Sequence, residues 1–311
     1  AVRRYFLDFI ASYQQSRLDI GSAVGIDMGG MEADYLVRTM TTKGDKFITG
    51  DYSKFGPTLN SECLLLVIKI MINWYNLHGK KNLNDSTIRL ILGYESIFSL
   101  HLVLNLVYQV VNGSPSGAPW TVIVNDMVNS LYVYMAWIHI MNGISSDNWQ
   151  LTNFDKHVIK VSYGDDLWMG VSDEVIDVFN NITLSDFFDD YGIKFTDAIK
   201  SGAMIPYSKI DDDTCSFLKR TFHRHDKLTN IYVARLDERS VLETCNWMWS
   251  TNSDAWAGTK LACLAMLENA YQYGELYYED LRDKVRKWFA DKTETFVSPS
   301  YTEMTLRIYK M

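Results

Sequence analysis

The sequence is poor in the residues that break a chain or clamp it. Five prolines and 18 glycines in 311 residues exclude a Pro/Gly-rich linker and a collagen-like chain. Four cysteines, at 63, 215, 245 and 263, make no CxxC pair, which excludes a zinc ribbon or thioredoxin-type motif. Thiols this scattered suit a reducing compartment. His223 and His225 near Cys215 form the one metal-like group, a weak zinc signal. Long apolar runs are also missing. The best, Ile97 to Val111, is 15 residues broken by His101, Asn105 and Gln109, against the roughly 20 a spanning helix needs. No signal peptide or internal repeat is visible. Positive charge is not in excess: the net charge is −8 and the pI about 5.3, which argues against a generally basic nucleic-acid-binding surface. The chain opens at Ala1 on a helix-like pattern, so it is expected to be cut from something longer, such as a processed polyprotein.

What the chain does have is core-forming material. Hydrophobic residues make up 47%, with 19 Tyr and 9 Trp, enough for one large domain or two to three packed subdomains. Apolar residues at 5, 6, 9, 10 and 13 predict a first helix, and Met31 to Thr42 a second. Asp45 to Asp51 reads as a short strand, residues 59–78 as an apolar helix, and Thr121 to Met141 as a long one. Lys156 to Val171 reads as a hairpin with Gly164 and Asp165 at its tip. Val175 to Tyr191 reads as helix, Ser216 to Ile231 as strand–turn–strand, and the chain after Val241 as helical, including Leu242 to Trp249. The expected class is α+β with a helical subdomain.

Charge is unevenly placed. Residues 161–213 hold 12 Asp or Glu against Lys194, Lys200 and Lys209, a local −9 that leaves the rest at about +1. A basic strip follows: Lys219, Arg220, Arg224, Lys227 and Arg235, opposed only by Asp226. Such runs are commonly solvated faces; an acidic centre beside a basic strip also suits a metal-dependent enzyme acting on phosphates.

The acids at strand ends sharpen the second possibility. Gly-Asp is common in hairpin turns for conformational reasons alone. Here, however, Asp165 and Asp166 adjoin at the tip of two apolar strands, and adjacent carboxylates gain from a cation. Asp51 ends another strand. Carboxylate oxygens suit Mg²⁺, which shares its ligands between one or two carboxylates and substrate phosphates. Spacing alone leaves open whether Asp51 lies beside Asp165.

The order DYSKF (51–55), SGAPWTVIVN (116–125), YGDD (163–166) and FLKR (217–220) resembles the palm of viral RNA-dependent RNA polymerases of the picornavirus-like order. DYSKFGP looks like the insect iflaviruses, and SAVGI (22–26) is similar to the segment before the first palm acid. The resemblance covers essentially the whole chain. It implies a right-hand polymerase: an antiparallel palm sheet flanked by helices, a helical thumb and a partial fingers region. The implied boundaries are fingers remnant 1–45, palm 46–71, fingers insertion 72–112, palm 113–221 and thumb 222–311.

The resemblance also implies roles. Asp51 and Asp165 would bind two Mg²⁺ or Mn²⁺ ions, with Asp166 in support. Lys200 would be the general acid that protonates pyrophosphate. Tyr52, Ser53, Ser116, Gly117, Thr121 and Asn125 would bind the nucleotide; of these, Ser116, Thr121 and Asn125 would read its 2′-hydroxyl. Phe217, Leu218, Lys219 and Arg220 would form the primer grip, its basic heads facing phosphates. Implied partners are an RNA template–primer, NTPs and other viral replication proteins. The implied setting is the host cytoplasm, at membrane-associated replication complexes, after release from a polyprotein.

Two departures stand out. Gly56 occupies the position where most picornaviral polymerases carry a second Asp, so the orientation of Asn125 is open. The family's basic triphosphate-binding finger motif would lie upstream of residue 1, so this chain is expected to be weak or inactive by itself. Two alternatives are another two-metal palm enzyme, such as a reverse transcriptase, and a non-catalytic RNA- or protein-binding scaffold. Gly164 before the paired acids, with FLKR and SGAP, disfavours the reverse transcriptase.

Overall fold

A computed structural model of the chain describes residues 1–79, 82–144, 149–199, 202, 204–210, 213–247 and 255–310. Helix α1 (Val2–Gln15) buries Phe6, Phe9 and Ile10, the stripe its periodicity predicts. Contacts group the chain into two compact units. One joins residues 1–25 to 42–208; the other joins 26–41, carrying α2 (Met31–Met40), to 209–311.

The first unit runs β1 (Lys46–Tyr52), α3 (Phe55–Thr58), α4 (Ser61–His78), α5 (Leu83–Ile97), β2 (Leu100–Val103), β3 (Leu106–Gln109), α6 (Thr121–Ile144) and α7 (Leu151–His157). It continues through β4 (Val158–Tyr163), β5 (Asp166–Val171), α8 (Asn181–Asp190) and β6 (Phe195–Asp197). Its main sheet has the order β4-β5-β1-β6 and every pairing is antiparallel. This is the expected α+β class.

Helix α4 starts where the Asn60 side chain accepts from the amides of Glu62 and Cys63, and it buries Leu64, Val67, Ile68 and Met71. It crosses α5 at Gly93, where a Cβ would lie 2.7 Å from Ile68 Cγ2. Helix α6 is apolar almost all round, so it runs through the core rather than over it; Val128, Val133, Ala136 and Trp137 are fully buried. Gly50 in β1 is required by packing, since a Cβ there would meet the Phe195 ring at 1.9 Å.

The second unit holds an antiparallel sheet of β7 (Ser216–Phe217), β8 (Arg220–Arg224) and β9 (Tyr232–Leu236). Helices α9 (Glu238–Glu243), α10 (Ala255–Ala270), α11 (Glu275–Asp291) and α12 (Tyr301–Tyr309) follow. They pack Met266, Leu267, Tyr271, Tyr278, Phe289 and Tyr301 into one core. Helix α2 joins this unit through Asp34, which accepts the Tyr232 amide at 2.9 Å.

Three expectations change. The stretch from Val175 to Tyr191 is helical only from Asn181, because the Asn180 side chain caps the amides of Ile182 and Thr183 and starts the helix there. Ser216 to Ile231 holds strand β7, the turn at Leu218 and Lys219 and strand β8, and a third strand, β9, is added to that sheet from Tyr232 onward. The expected helix Leu242 to Trp249 is α9, Glu238–Glu243, followed by a short 3₁₀ turn to Asn246; residues 248–250 lie outside the described residues. Among the described residues, no helix is long and apolar enough to cross a membrane.

Candidate active site

The sheet register brings the acids of two motifs to neighbouring strand ends. Pairing of β1 with β5 runs from Lys46↔Val171 to Gly50↔Leu167. Asp51 follows Gly50 and Asp166 precedes Leu167, so both stand one residue beyond the last pair of the same ladder. Tyr163 pairs with Asp166, which leaves Gly164 and Asp165 as the two-residue tip of the β4–β5 hairpin. Gly164 has φ +62°, the glycine-first pattern of a type II′ turn. Asp165 is exposed; Asp51 and Asp166 are half-buried. On its other side Asp51 pairs with Thr196 of β6. Among the described residues, no three His, Cys, Asp or Glu lie close enough together to hold a metal ion. The weak zinc signal is likewise absent there: His225 instead bonds the Tyr271 hydroxyl at 2.8 Å and the amides of Lys227 and Leu228.

Behind the acids lies a set of buried polar side chains on α6. Asn129 is fully buried; its Nδ2 donates to the carbonyls of Gly164 (3.0 Å) and Asp165 (3.4 Å), and its Oδ1 accepts from the Tyr52 hydroxyl (3.3 Å). Asp126, one turn earlier and fully buried, accepts from the Tyr13 hydroxyl at 2.5 Å. Lys160 of β4 is 7% exposed and donates to Ser162 Oγ (2.9 Å) and the Gly21 carbonyl (3.2 Å). Burial pushes the Lys160 ammonium down to about 8, partly offset by the Asp126 charge. Burial also raises the Asp126 carboxyl, against the opposing pull of Lys160. Ser22 bridges Ser162 in parallel, so the SAVGI segment forms a short extra rung on β4.

The nucleotide-binding residues divide into exposed and internal ones. Ser116 and Gly117 are exposed, and Gly117 has φ +89° with nothing within 4 Å of where a Cβ would lie. Ser53 is half-buried and its amide donates to the Lys194 carbonyl. Thr121 is half-buried; its hydroxyl donates to the carbonyls of Pro115 (3.0 Å) and Ala118 (2.9 Å), tying the loop to the start of α6. Asn125 is half-buried, and its Oδ1 is buried with no hydrogen-bond partner. Gly56 is not squeezed out by packing, because a Cβ there would have 3.8 Å to the Ser114 carbonyl. Tyr52 departs from expectation: its ring is 2% exposed among Phe55, Phe188 and Phe195, so its side chain supports the site from within.

The FLKR segment also departs in part. Phe217 is buried and Leu218 half-buried, while Lys219 is exposed at the tip. Arg220 faces inward, donating to the Ala234 carbonyl (2.8 Å), Gln272 Oε1 (3.2 Å) and Asn269 Oδ1 (3.1 Å). The rest of the basic strip makes its contacts nearer the surface, with Arg224 and Lys227 exposed and Arg235 half-buried. Arg224 lies 3.7 Å over the Tyr232 ring, Lys227 pairs with Glu275, and Arg235 donates to the Gln272 carbonyl. Charge counting missed the inward Arg220 because a sequence does not say which cations are committed internally. Lys200 lies outside the described residues.

A sheet with acids on adjacent strand ends and a Gly/Ser loop leading into a buried helix together form a palm-type architecture. The chain belongs to the family of viral RNA-dependent RNA polymerases, whose model matches residues 1–289. It is similar to the genome polyprotein of Deformed wing virus, 34% identical over 99% of this chain and 10% of that one. The replicase polyprotein of Acute bee paralysis virus (strain Rothamsted) is 31% identical over 92% of this chain and 15% of that one. Among solved structures, the Sicinivirus 3Dpol RNA dependent RNA polymerase shares the fold: TM-score 0.78 and 18% identity, covering 98% of this chain and 59% of that one. The chain thus spans a small part of the polyproteins and about three fifths of that solved polymerase.

Proposed function

We propose that this chain carries the nucleotidyl-transfer centre of a picornavirus-like RNA polymerase. In that reaction a primer 3′-hydroxyl oxygen bonds to the α-phosphorus of an NTP and the bond to the β-phosphate oxygen breaks, releasing pyrophosphate. The observation that carries the reading is the β1–β5 register, which brings Asp51 and Asp166 to neighbouring strand ends with Asp165 at the adjoining tip.

The donor set fits a hard divalent cation. All the candidate ligands are carboxylate oxygens, and one or two of these plus substrate phosphates satisfy Mg²⁺ without a cluster of three. Asp51 and Asp165 would hold two Mg²⁺ or Mn²⁺ ions with Asp166 in support; when bound, the ions would activate the hydroxyl and neutralise developing charge. The chain's own residues would position the reactants. Exposed Gly117 lets backbone approach the nucleic acid closely. Ser116, Thr121 and Asn125 would read the ribose, and the partnerless Oδ1 of Asn125 is an acceptor that a hydroxyl could donate a hydrogen bond to. Lys219 would meet primer phosphate, and Lys200 would donate the proton to pyrophosphate.

The proposed division is a fingers remnant at 1–45, palm at 46–71 and 113–221, a fingers insertion at 72–112 and thumb at 222–311; the compact units cut the chain differently, grouping 26–41 and 209–221 with the stretch assigned to the thumb. RNA template–primer, NTPs and other viral replication proteins are the partners, in host cytoplasm at membrane-associated complexes after polyprotein cleavage. Because the chain spans 59% of the solved neighbour, weak synthesis by these 311 residues alone is expected.

The test is primer extension on a short RNA template with Mg²⁺ or Mn²⁺, using this chain, an N-terminally extended version, and Asp165→Asn in each. Extension in the longer chain that vanishes with Asp165→Asn supports the proposal. RNA binding without extension in any form favours the non-catalytic scaffold. Asn125→Ala should narrow discrimination between NTP and dNTP; an unchanged ratio of their kcat/KM values removes Asn125 from ribose selection.

A further inference from the structure

One buried carboxamide touches the elements that carry both acids. Asn129 accepts from Tyr52, the residue after Asp51, and donates to the carbonyls of Gly164 and Asp165 at the hairpin tip. Tyr52 is itself held by Phe55, Phe188 and Phe195, so its hydroxyl has little freedom. The amide orientation follows from the partners: reversing it would turn Oδ1 against two carbonyl oxygens. The side chain therefore acts as a strut from helix α6 to the end of β1 and to the β4–β5 turn.

We propose that Asn129 is a positioning residue that sets the separation of Asp51 and Asp165 and, through it, the affinity of the site for a divalent cation. The proposal rests on reading these two acids as cation ligands. Groups that orient metal ligands from behind typically change metal affinity by about 10–100-fold when removed. Asn129 acts on the backbone of Asp165 rather than its carboxylate, so the low end of that range is expected. A merely structural role predicts something else: lower thermal stability with unchanged affinity in the molecules that stay folded.

The experiment is Mn²⁺ titration of the full 311-residue chain, followed by the loss of the free-ion paramagnetic resonance signal, with thermal unfolding measured in parallel. Asn129→Ala is expected to weaken Mn²⁺ about tenfold. Tyr52→Phe keeps the ring packing and removes only the bond to β1, so it guards against misfolding of the first variant; about a threefold loss is expected. Asp165→Asn is the reference and should abolish tight binding. Wild-type affinity in Tyr52→Phe and in any folded Asn129→Ala, with Asp165→Asn abolishing binding, overturns the strut alone. Binding that Asp165→Asn leaves unchanged overturns the cation reading and the strut with it.

Discussion

Two hairpins in this chain have the same length of turn and solve it differently. The YGDD hairpin places glycine at the first turn position, Gly164 at φ +62°, where a left-handed backbone costs glycine little. The FLKR hairpin turns through Leu218 and Lys219, at φ +55° and +56°, the pattern of a type I′ turn with neither Asn nor Gly in it. Each side chain held in that region costs on the order of 1 kcal/mol or more. The supports differ as well. The YGDD hairpin is braced from behind by Asn129, and Lys160 in its first strand ties it to the Gly21 carbonyl; the FLKR hairpin is braced by Arg220, whose guanidinium is bound to three acceptors. On the proposed reading, the turn that offers carboxylates to a cation is unstrained and rests on a buried carboxamide. On the same reading, the turn that presents Lys219 to phosphate tolerates strain because an inward arginine over-determines it.

The largest effect should come from the brace of the first hairpin. Lys160→Met leaves the Ser162 hydroxyl and the Gly21 carbonyl without their buried donor and removes the cation that opposes Asp126, and should cost about 1–3 kcal/mol in urea unfolding. Adding Asp126→Asn should return part of that loss; a double variant worse than the single one would show that the two charges do not act together. The same pair gives a pH signature. A lysine whose folded pKa is lowered binds its proton less well folded than unfolded, so it depresses stability at low pH. That penalty lifts as pH rises from about 8 toward the unfolded value near 10.4, by up to about 1.4 kcal/mol per unit. Wild type should therefore gain on Lys160→Met over that window. A gap that stays constant from pH 7 to 9.5 would contradict a depressed Lys160.

The smallest effects invert between the hairpins. Gly164→Ala meets only ordinary contacts, at 3.8 Å to Val122 Cγ2, so its cost is backbone alone, about 1 kcal/mol. Lys219→Gly relieves one strained residue and should stabilise the fold by up to about 1 kcal/mol, less the added freedom of the unfolded chain. Equal signs for the two substitutions would break the comparison.

Much of this was legible in the sequence, for a physical reason. Period-2 apolar strands around Gly164 define the hairpin, and the i, i+3, i+4 stripes define α1 and α4, because burial imposes those periods. The acids proposed as cation ligands were legible as charges at the ends of apolar strands. The bracing residues were not. Asn129 reads as part of a polar stripe with Thr121 and Asn125, and only the fold shows that it points at the YGDD turn instead of solvent. Lys160 sits inside a strand where alternation alone does not say that both faces are covered. Arg220 reads as a free cation because its acceptors, Gln272 and Asn269, lie about 50 positions away. The αL turn at Leu218 and Lys219 carries no Gly or Asn to announce it.

The division of labour between the hairpins is the central claim, and single-turnover incorporation of one nucleotide, measured against primer–template concentration in an active N-terminally extended chain, tests it most directly. Asp165→Asn should abolish the rate at saturation while leaving primer–template affinity near wild type. Lys219→Ala should weaken that affinity several-fold with the saturating rate unchanged, the loss of one phosphate contact. A saturating rate that survives Asp165→Asn, or a Lys219→Ala defect confined to that rate, would contradict the account.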